Sequence, residues 1–309
     1  MKTTHFYRFL LVFIILSTGI SAQNQVNETI LISGTKFTYP LIGKWIAEYA
    51  KVNLTATFQL AAKSETPGVS DLNIIAHEPE KEELKEDQDI LYTGRYALLP
   101  VTNSHNPILS TPRKKVFNKK EIDKLFFEVV NYEDKSGTEK PKYRAAIYTR
   151  DNKACSSRAL ANYYGHVPTE IKGKKVLGDD IYLLSAIRKD TIGITFNNLG
   201  YLFDIKSRNL KEGIALLPLD LKKETKTITA GNLDDVLSVL EINKIETIPT
   251  EKIGFIYSRK NLRKEVSDFL KWVLNDGQKF NHSEGFLNLD KQVLTEQQNQ
   301  LNDKLLTLK

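Results

Sequence analysis

Ser33, Gly34 and Thr35 form a small polar turn between an apolar run, Thr29 to Ile32, and an amphipathic segment, Tyr39 to Val52. A strand, turn and helix in that order can hold an anion. Glycine lets a ligand approach the backbone closely, the two hydroxyls are adjustable donors, and the unpaired N–H groups of the helix carry the positive end of its dipole. A second polar stretch, Arg150 to Ser157, precedes a helical pattern from Arg158 to Tyr164 that Gly165 closes. Cys155, the single cysteine, falls in this stretch, beside Arg150 and a helix N-terminus that can favour a thiolate, and the alternative is an inert, half-buried thiol. His77, Arg95 and Lys63 are further candidates for the wall of a binding cleft. His77, His105, His166 and His282 show neither H-x-x-H nor H-E-x-x-H spacing, so neither a metal site nor a cofactor is expected. The chain also lacks a G-x-S-x-G elbow, a P-loop and a paired-carboxylate motif, and it is not expected to be an enzyme.

Turns of this kind need a scaffold that aims them. The apolar pattern predicts strands at 30–32, 56–60 and 72–76, with the helix 39–52 between the first two. The run from His77 to Asp89 is strongly charged and reads as a solvated helix and loop. Leu91 to Val101 is rich in β formers, and the turn-rich Asn103 to Pro107 follows it. Asn118, with Glu121 three residues later, predicts the N-cap of a helix over 119–127. Strands are expected at 143–148, 191–196 and 253–257, and helices at 179–187, 263–274 and, docked on the surface, 295–308. This alternation indicates an α/β sheet with crossover helices.

At the N-terminus Lys2, His5 and Arg8 precede an apolar core, Phe9 to Leu16, and a small-residue exit ending at Ala22. This predicts a cleavable secretory signal over 1–22, with no cysteine near the cleavage point for lipid attachment. The apolar core is well short of the ~20 residues that span a bilayer. A periplasmic or secreted protein is therefore expected. Its lone cysteine cannot form an internal disulfide, so the fold must rest on buried apolar surface. The net charge of +6 on 309 residues, two of those charges in the leader, suits an anionic ligand. Basic residues do not cluster with stacking aromatics, which argues against nucleic-acid binding.

Residues Val266 to Phe280 contain Phe269, Leu270, Trp272, Val273, Leu274, Gly277, Gln278 and Lys279 in the register F-L-x-W-V-L-x-x-G-Q-K, and Gly285-Phe286 follows. This stretch resembles the C-terminal region of the phosphate-binding proteins of ABC transporters. Ser33 to Trp45 resembles that family's S-G-x-T-x-x-x-P-L-x-x-x-W loop and helix, and Ser70 to Ala76 its A-D-I-G-I-A-S strand. Phe117 to Phe127, and Ile192 to Ile194 with Leu199 to Tyr201, are similar to two further segments in the same order. The resemblance implies an α/β, two-lobed periplasmic-binding-protein-like fold of type II, with two α/β domains joined by a two-segment hinge. Lobe I is expected to comprise 23–98 and 198–309, and lobe II 99–197.

The resemblance also implies a ligand set of Ser33, Gly34, Thr35, Lys36, Asp71, Arg150, Ser156 and Ser157. Two departures stand out. Lys153, Ala154 and Cys155 replace the usual Gly-Ser-Gly before the second ligand helix, and Ala76 replaces a serine. A Cβ where backbone should face the ligand can block close approach. The expected function is capture of a small oxyanion, phosphate foremost, by a monomeric exported protein that delivers it to an ABC permease. The alternative is an exported interaction or sensor module on the same fold with a degenerate, low-affinity site.

Overall fold

The computed structural model describes residues 29–62, 70–110, 116–128 and 144–307. The secretory signal expected at 1–22 and the candidate Lys63 lie outside them.

Strand β1 (Ile30–Gly34) buries Ile30 and Ile32 and pairs in parallel with β2 (Phe58–Leu60) and β3 (Leu72–Ile75). Between β1 and β2 runs α1 (Tyr39–Tyr49), opened by Pro40 in its first turn, where a missing N–H is tolerated. Its buried face carries Leu41, Ile42, Trp45 and Tyr49. Trp45 donates its ring N–H to the Gly277 carbonyl at 3.0 Å, which fastens the chain's end to its beginning.

The sixteen-residue strand β4 (Gln88–Asn103) runs through both halves of the molecule. As far as Ala97 it pairs antiparallel with β9 (Thr250–Ser258), which in turn pairs with β3. From Leu98 onward its partner is β7 (Gly193–Asn198), joined at Val101 by β8 (Ile214–Leu216). Strand β5 (Ala146–Thr149) lies parallel to β7, with the short β6 (Lys174–Lys175) at the edge. The result is a mixed α/β fold of two lobes that share β4, as expected.

Helices α2 (Lys119–Phe127), α3 (Cys155–Tyr164), α4 (Ile181–Lys189) and α5 (Leu199–Leu202) belong to the middle of the chain. After them come α6 (Leu233–Ile242), α7 (Lys264–Asn275) and α8 (Lys291–Thr307). In α2 the Asn118 side chain accepts from Glu121 N at 3.0 Å, and the Glu121 carboxylate accepts from Asn118 N. The expected cap is present. α7 buries Phe269, Leu270, Val273 and Leu274 against Tyr49, Phe58 and Phe255, so the stretch that carried the resemblance is core. Burying each such side chain contributes on the order of 1.5–3 kcal/mol. No helix among the described residues is long and apolar enough to cross a membrane.

Two local departures shape the site. Helix α3 begins at Cys155, three residues before the expected start, because Ala154 takes the extended cap conformation. The charged run 77–89 forms no α-helix; only Lys81–Glu83 makes a 3-10 turn, and His77 is buried rather than solvated.

Candidate functional site

The end of β1 and the start of α3 face one another across a cleft of about 400 Å³. Gly34, Thr35, Lys36, His77, Arg150 and Cys155 contribute to its wall. Gly34 holds φ +120, and a Cβ there would be driven into the backbone of Ile74. The glycine therefore lets β3 approach closely. Immediately after it, Thr35 N and Thr35 Oγ1 both donate to the Ile74 carbonyl, at 3.1 and 3.2 Å.

The remaining expected ligand residues divide between neighbouring spaces. Ser33 donates to Ser70 Oγ at 2.6 Å and lines, with Asp71 and Lys36, an adjoining cavity of about 860 Å³. One Asp71 oxygen accepts from Leu31 N and the other from Arg263, each at 2.8 Å, so this carboxylate ties β1 to the approach of α7. Arg95 is spent away from the cleft, on Asn288 O at 2.7 Å and on Glu241 of α6 at 3.1 Å.

Arg150 follows β5 and is 7% exposed. Its Nε donates to Asp180 Oδ1 at 2.8 Å, its Nη1 to Val176 O at 2.6 Å, and its Nη2 to Gly178 O. A guanidinium so engaged holds the loop before α4 in place. The Ser156 hydroxyl also donates to Asp180 Oδ1, at 3.0 Å. Burial pushes the Asp180 carboxyl upward, opposed by Arg150 and Ser156. Ser157 Oγ is buried with no hydrogen-bond partner among the described residues, and both serines line a small internal space of about 10 Å³ beside Phe126 and Leu160.

The middle of the cleft is crossed by the protein's own side chains. Cys155 Sγ lies 3.2 Å from Thr35 Oγ1 and 3.1 Å from His77 Nδ1. His77 Nε2 is 3.2 Å from Glu83 Oε2, and Arg158 Nη1 donates to the same carboxylate oxygen at 2.7 Å. Burial lowers the His77 imidazole and raises the Cys155 thiol, so both rest neutral. The Glu83 carboxyl is raised by burial, but the Glu80 N–H, His77 and Arg158 outweigh that and hold it low. His77, Glu83 and Arg158 were not expected to meet, since nothing in their linear spacing brings them together. The placement of His77 directly after the buried β3 run was the one signal available.

The described residues hold no group of three or more His, Cys, Asp or Glu that could bind a metal ion. What the cleft does offer an anion is the Lys36 ammonium and the first turn of α3, whose cap residue Ala154 supplies no side-chain acceptor.

No family model and no curated protein matches the chain. Solved structures do resemble it. A Clostridium perfringens structure assigned as a phosphate ABC transporter substrate-binding protein with bound phosphate aligns at TM-score 0.62 and 13% identity, over 85% of this chain and 100% of that one. An ABC-type phosphate transport receptor from Vibrio cholerae gives 0.57 and 11% identity, over 84% and 100%. PstS from Borrelia burgdorferi gives 0.50 and 17%, over 85% and 99%. Likeness at such identities establishes the two-lobed fold and leaves the ligand to the chemistry of the cleft.

Proposed function

We propose that the chain is an exported solute-binding protein that takes a small oxyanion, phosphate foremost, between its lobes and presents it to an ABC-type permease. One observation carries this reading: Gly34, Thr35 and Lys36 share a single cleft with Arg150 and the start of α3. The neighbours named above as phosphate binders support it at the level of the fold. Neutral donors and a helix N-terminus can hold an anion without a full set of counter-charges. Lobe closure would follow from contacts that the ligand makes only in the closed form. We place the return crossing of the hinge beside Pro249, whose carbonyl accepts from Leu98 N at 2.9 Å, because β8 pairs with the far half of β4. The protein is taken to act as a monomer in the periplasm or outside the cell.

Isothermal titration with inorganic phosphate, against sulfate as control, tests the reading. Heat with phosphate that is lost in Lys36→Ala supports it. No heat and no thermal shift at millimolar phosphate overturns it.

A second reading is favoured by Arg150, whose donors are already met by Asp180, Val176 and Gly178. On that reading the chain is an exported sensor or interaction module with a weak ligand site. It would recover an envelope partner equally well as the parent chain and as Arg150→Ala. Loss of capture in that variant argues against it.

A further inference from the structure

Cys155, His77 and Glu83 come from separated stretches of sequence and meet on the wall of the interlobe cleft. The thiol lies 3.1 Å from His77 Nδ1, and His77 Nε2 lies 3.2 Å from Glu83 Oε2. A nucleophile within reach of a base that is itself oriented by a third group is the geometry of an activated nucleophile. Cys155 is also the first residue of the ten-residue α3, whose first-turn N–H groups face no side-chain cap. Donors so placed beside a nucleophile can stabilise an oxyanion. The cleft supplies the space for a small reactant next to all three residues.

We infer that Cys155, with His77 as general base and Glu83 as the carboxylate that orients it, is a nucleophilic thiol site for acyl transfer from a small ester or thioester entering the cleft. Sγ attacks the acyl carbon while its proton passes to His77 Nδ1. The new C–S bond forms, the bond from that carbon to the leaving oxygen or sulfur breaks, and the proton passes on to the leaving group. Water then cleaves the thioester, releasing a carboxylic acid and restoring the thiol.

The protonation states fit this order of events. His77 Nε2 faces both the Glu83 carboxylate and Arg158 Nη1, the latter at 3.0 Å. The reaction uses the tautomer in which Nε2–H is donated to Glu83 and Arg158 Nη1 directs its own proton to the same carboxylate, so that Nδ1 presents its lone pair to the thiol. Burial keeps the imidazole neutral and therefore able to accept a proton. Burial also keeps the thiol protonated at rest, so its proton leaves during the attack rather than before it. Thr35 Oγ1, 3.2 Å from the sulfur, would steady the developing thiolate by turning its proton from the Ile74 carbonyl to Sγ. The inference stands apart from the solute reading, because it needs neither Lys36 nor Arg150.

The test uses the purified chain and p-nitrophenyl acetate. The expected result is a burst of one p-nitrophenol per chain, with one acetyl group on Cys155 by mass spectrometry, faster than acetylation of free cysteine at the same pH. Cys155→Ser should carry no adduct. His77→Gln should slow acylation by about 100-fold or more, and its rate should rise with pH where the parent's is flat above the imidazole titration. Glu83→Gln, on the more exposed residue, serves if His77→Gln fails to fold, and it should also slow the burst. Absence of an adduct on Cys155, or an unchanged rate in whichever of these two variants folds, overturns the inference.

Discussion

The Asp180 carboxylate answers Arg150 at 2.8 Å and Ser156 at 3.0 Å from inside the lobe, so its removal leaves a buried guanidinium facing carbonyl groups and the more distant, exposed Asp151. Breaking a buried pair by deleting one partner typically costs about 3–5 kcal/mol. Asp180→Asn keeps the shape and one acceptor oxygen, which places the expected loss near the lower end, about 3 kcal/mol. Urea unfolding followed by circular dichroism checks it. A loss under about 1 kcal/mol would mean that Arg150 turns to Asp151, whose carboxylate stands 3.7 Å from Nη2, and that Asp180 is no structural anchor. The same pair explains why Arg150 could be picked out of the sequence while its state could not. Its position after a strand and before a helix was readable, whereas its acceptors lie 26 to 30 residues farther on.

Among the elements, the junction of β1 and β3 is the tightest part of the site. Gly34 sits at φ +120 with Ile74 N and O pressed against the place a Cβ would take. Backbone of this kind costs a non-glycine residue about 1–3 kcal/mol before any clash is counted. Gly34→Ala should therefore lose at least about 2 kcal/mol by chemical denaturation and shift the amide resonances of Thr35 and Ile74. A variant as stable as the parent would show that β1 can part from β3 without cost. The strands and helices themselves were largely legible: the Asn118 cap, the helix ending at Tyr164 and the α7 core face all follow from local pattern. The start of α3 was not, because Ser156 and Ser157, good N-cap residues, lie inside the helix, whereas the residue that takes the cap conformation is Ala154, which has no capping side chain. The segment 203–249 received no assigned element, although Asn232 caps α6 by accepting from Asp234 N and Asp235 N, a pattern of the same kind as at Asn118. β8 is three residues long and owes its state to pairing with β4, which local sequence cannot reveal.

Across the whole molecule, the protein's own side chains tie the two sides of the cleft together. Thr35, His77 and Glu83 stand on the side of β1 and β3, while Cys155 and Arg158 reach them from α3. None of these ties was visible in sequence, since each joins residues 75 or more positions apart across β4. The Thr35–Cys155 and Cys155–His77 contacts are neutral and contribute only about 1 kcal/mol each, and the part-exposed Arg158–Glu83 ion pair adds about as little, so the arrangement is one that a single added charge can unsettle. His77 provides that charge. Burial lowers its imidazole below 6.5, so its contribution to this contact between the two sides is complete above that pH and is lost as the pH falls. Once protonated, it faces Glu83 and Glu80 within its own half and the Arg158 guanidinium opposite. The new charge offsets Glu83, which Arg158 needs as its acceptor, and repels Arg158 directly. Small-angle scattering should then give a larger radius of gyration at about pH 5 than at about pH 7 for the parent chain. His77→Gln, which cannot take up that proton, should hold one value across the same interval. Equal radii for the parent at both pH values would mean that the lobes are held by something stronger than this cluster. A rise of the same size in both chains would assign the opening to another titrating group.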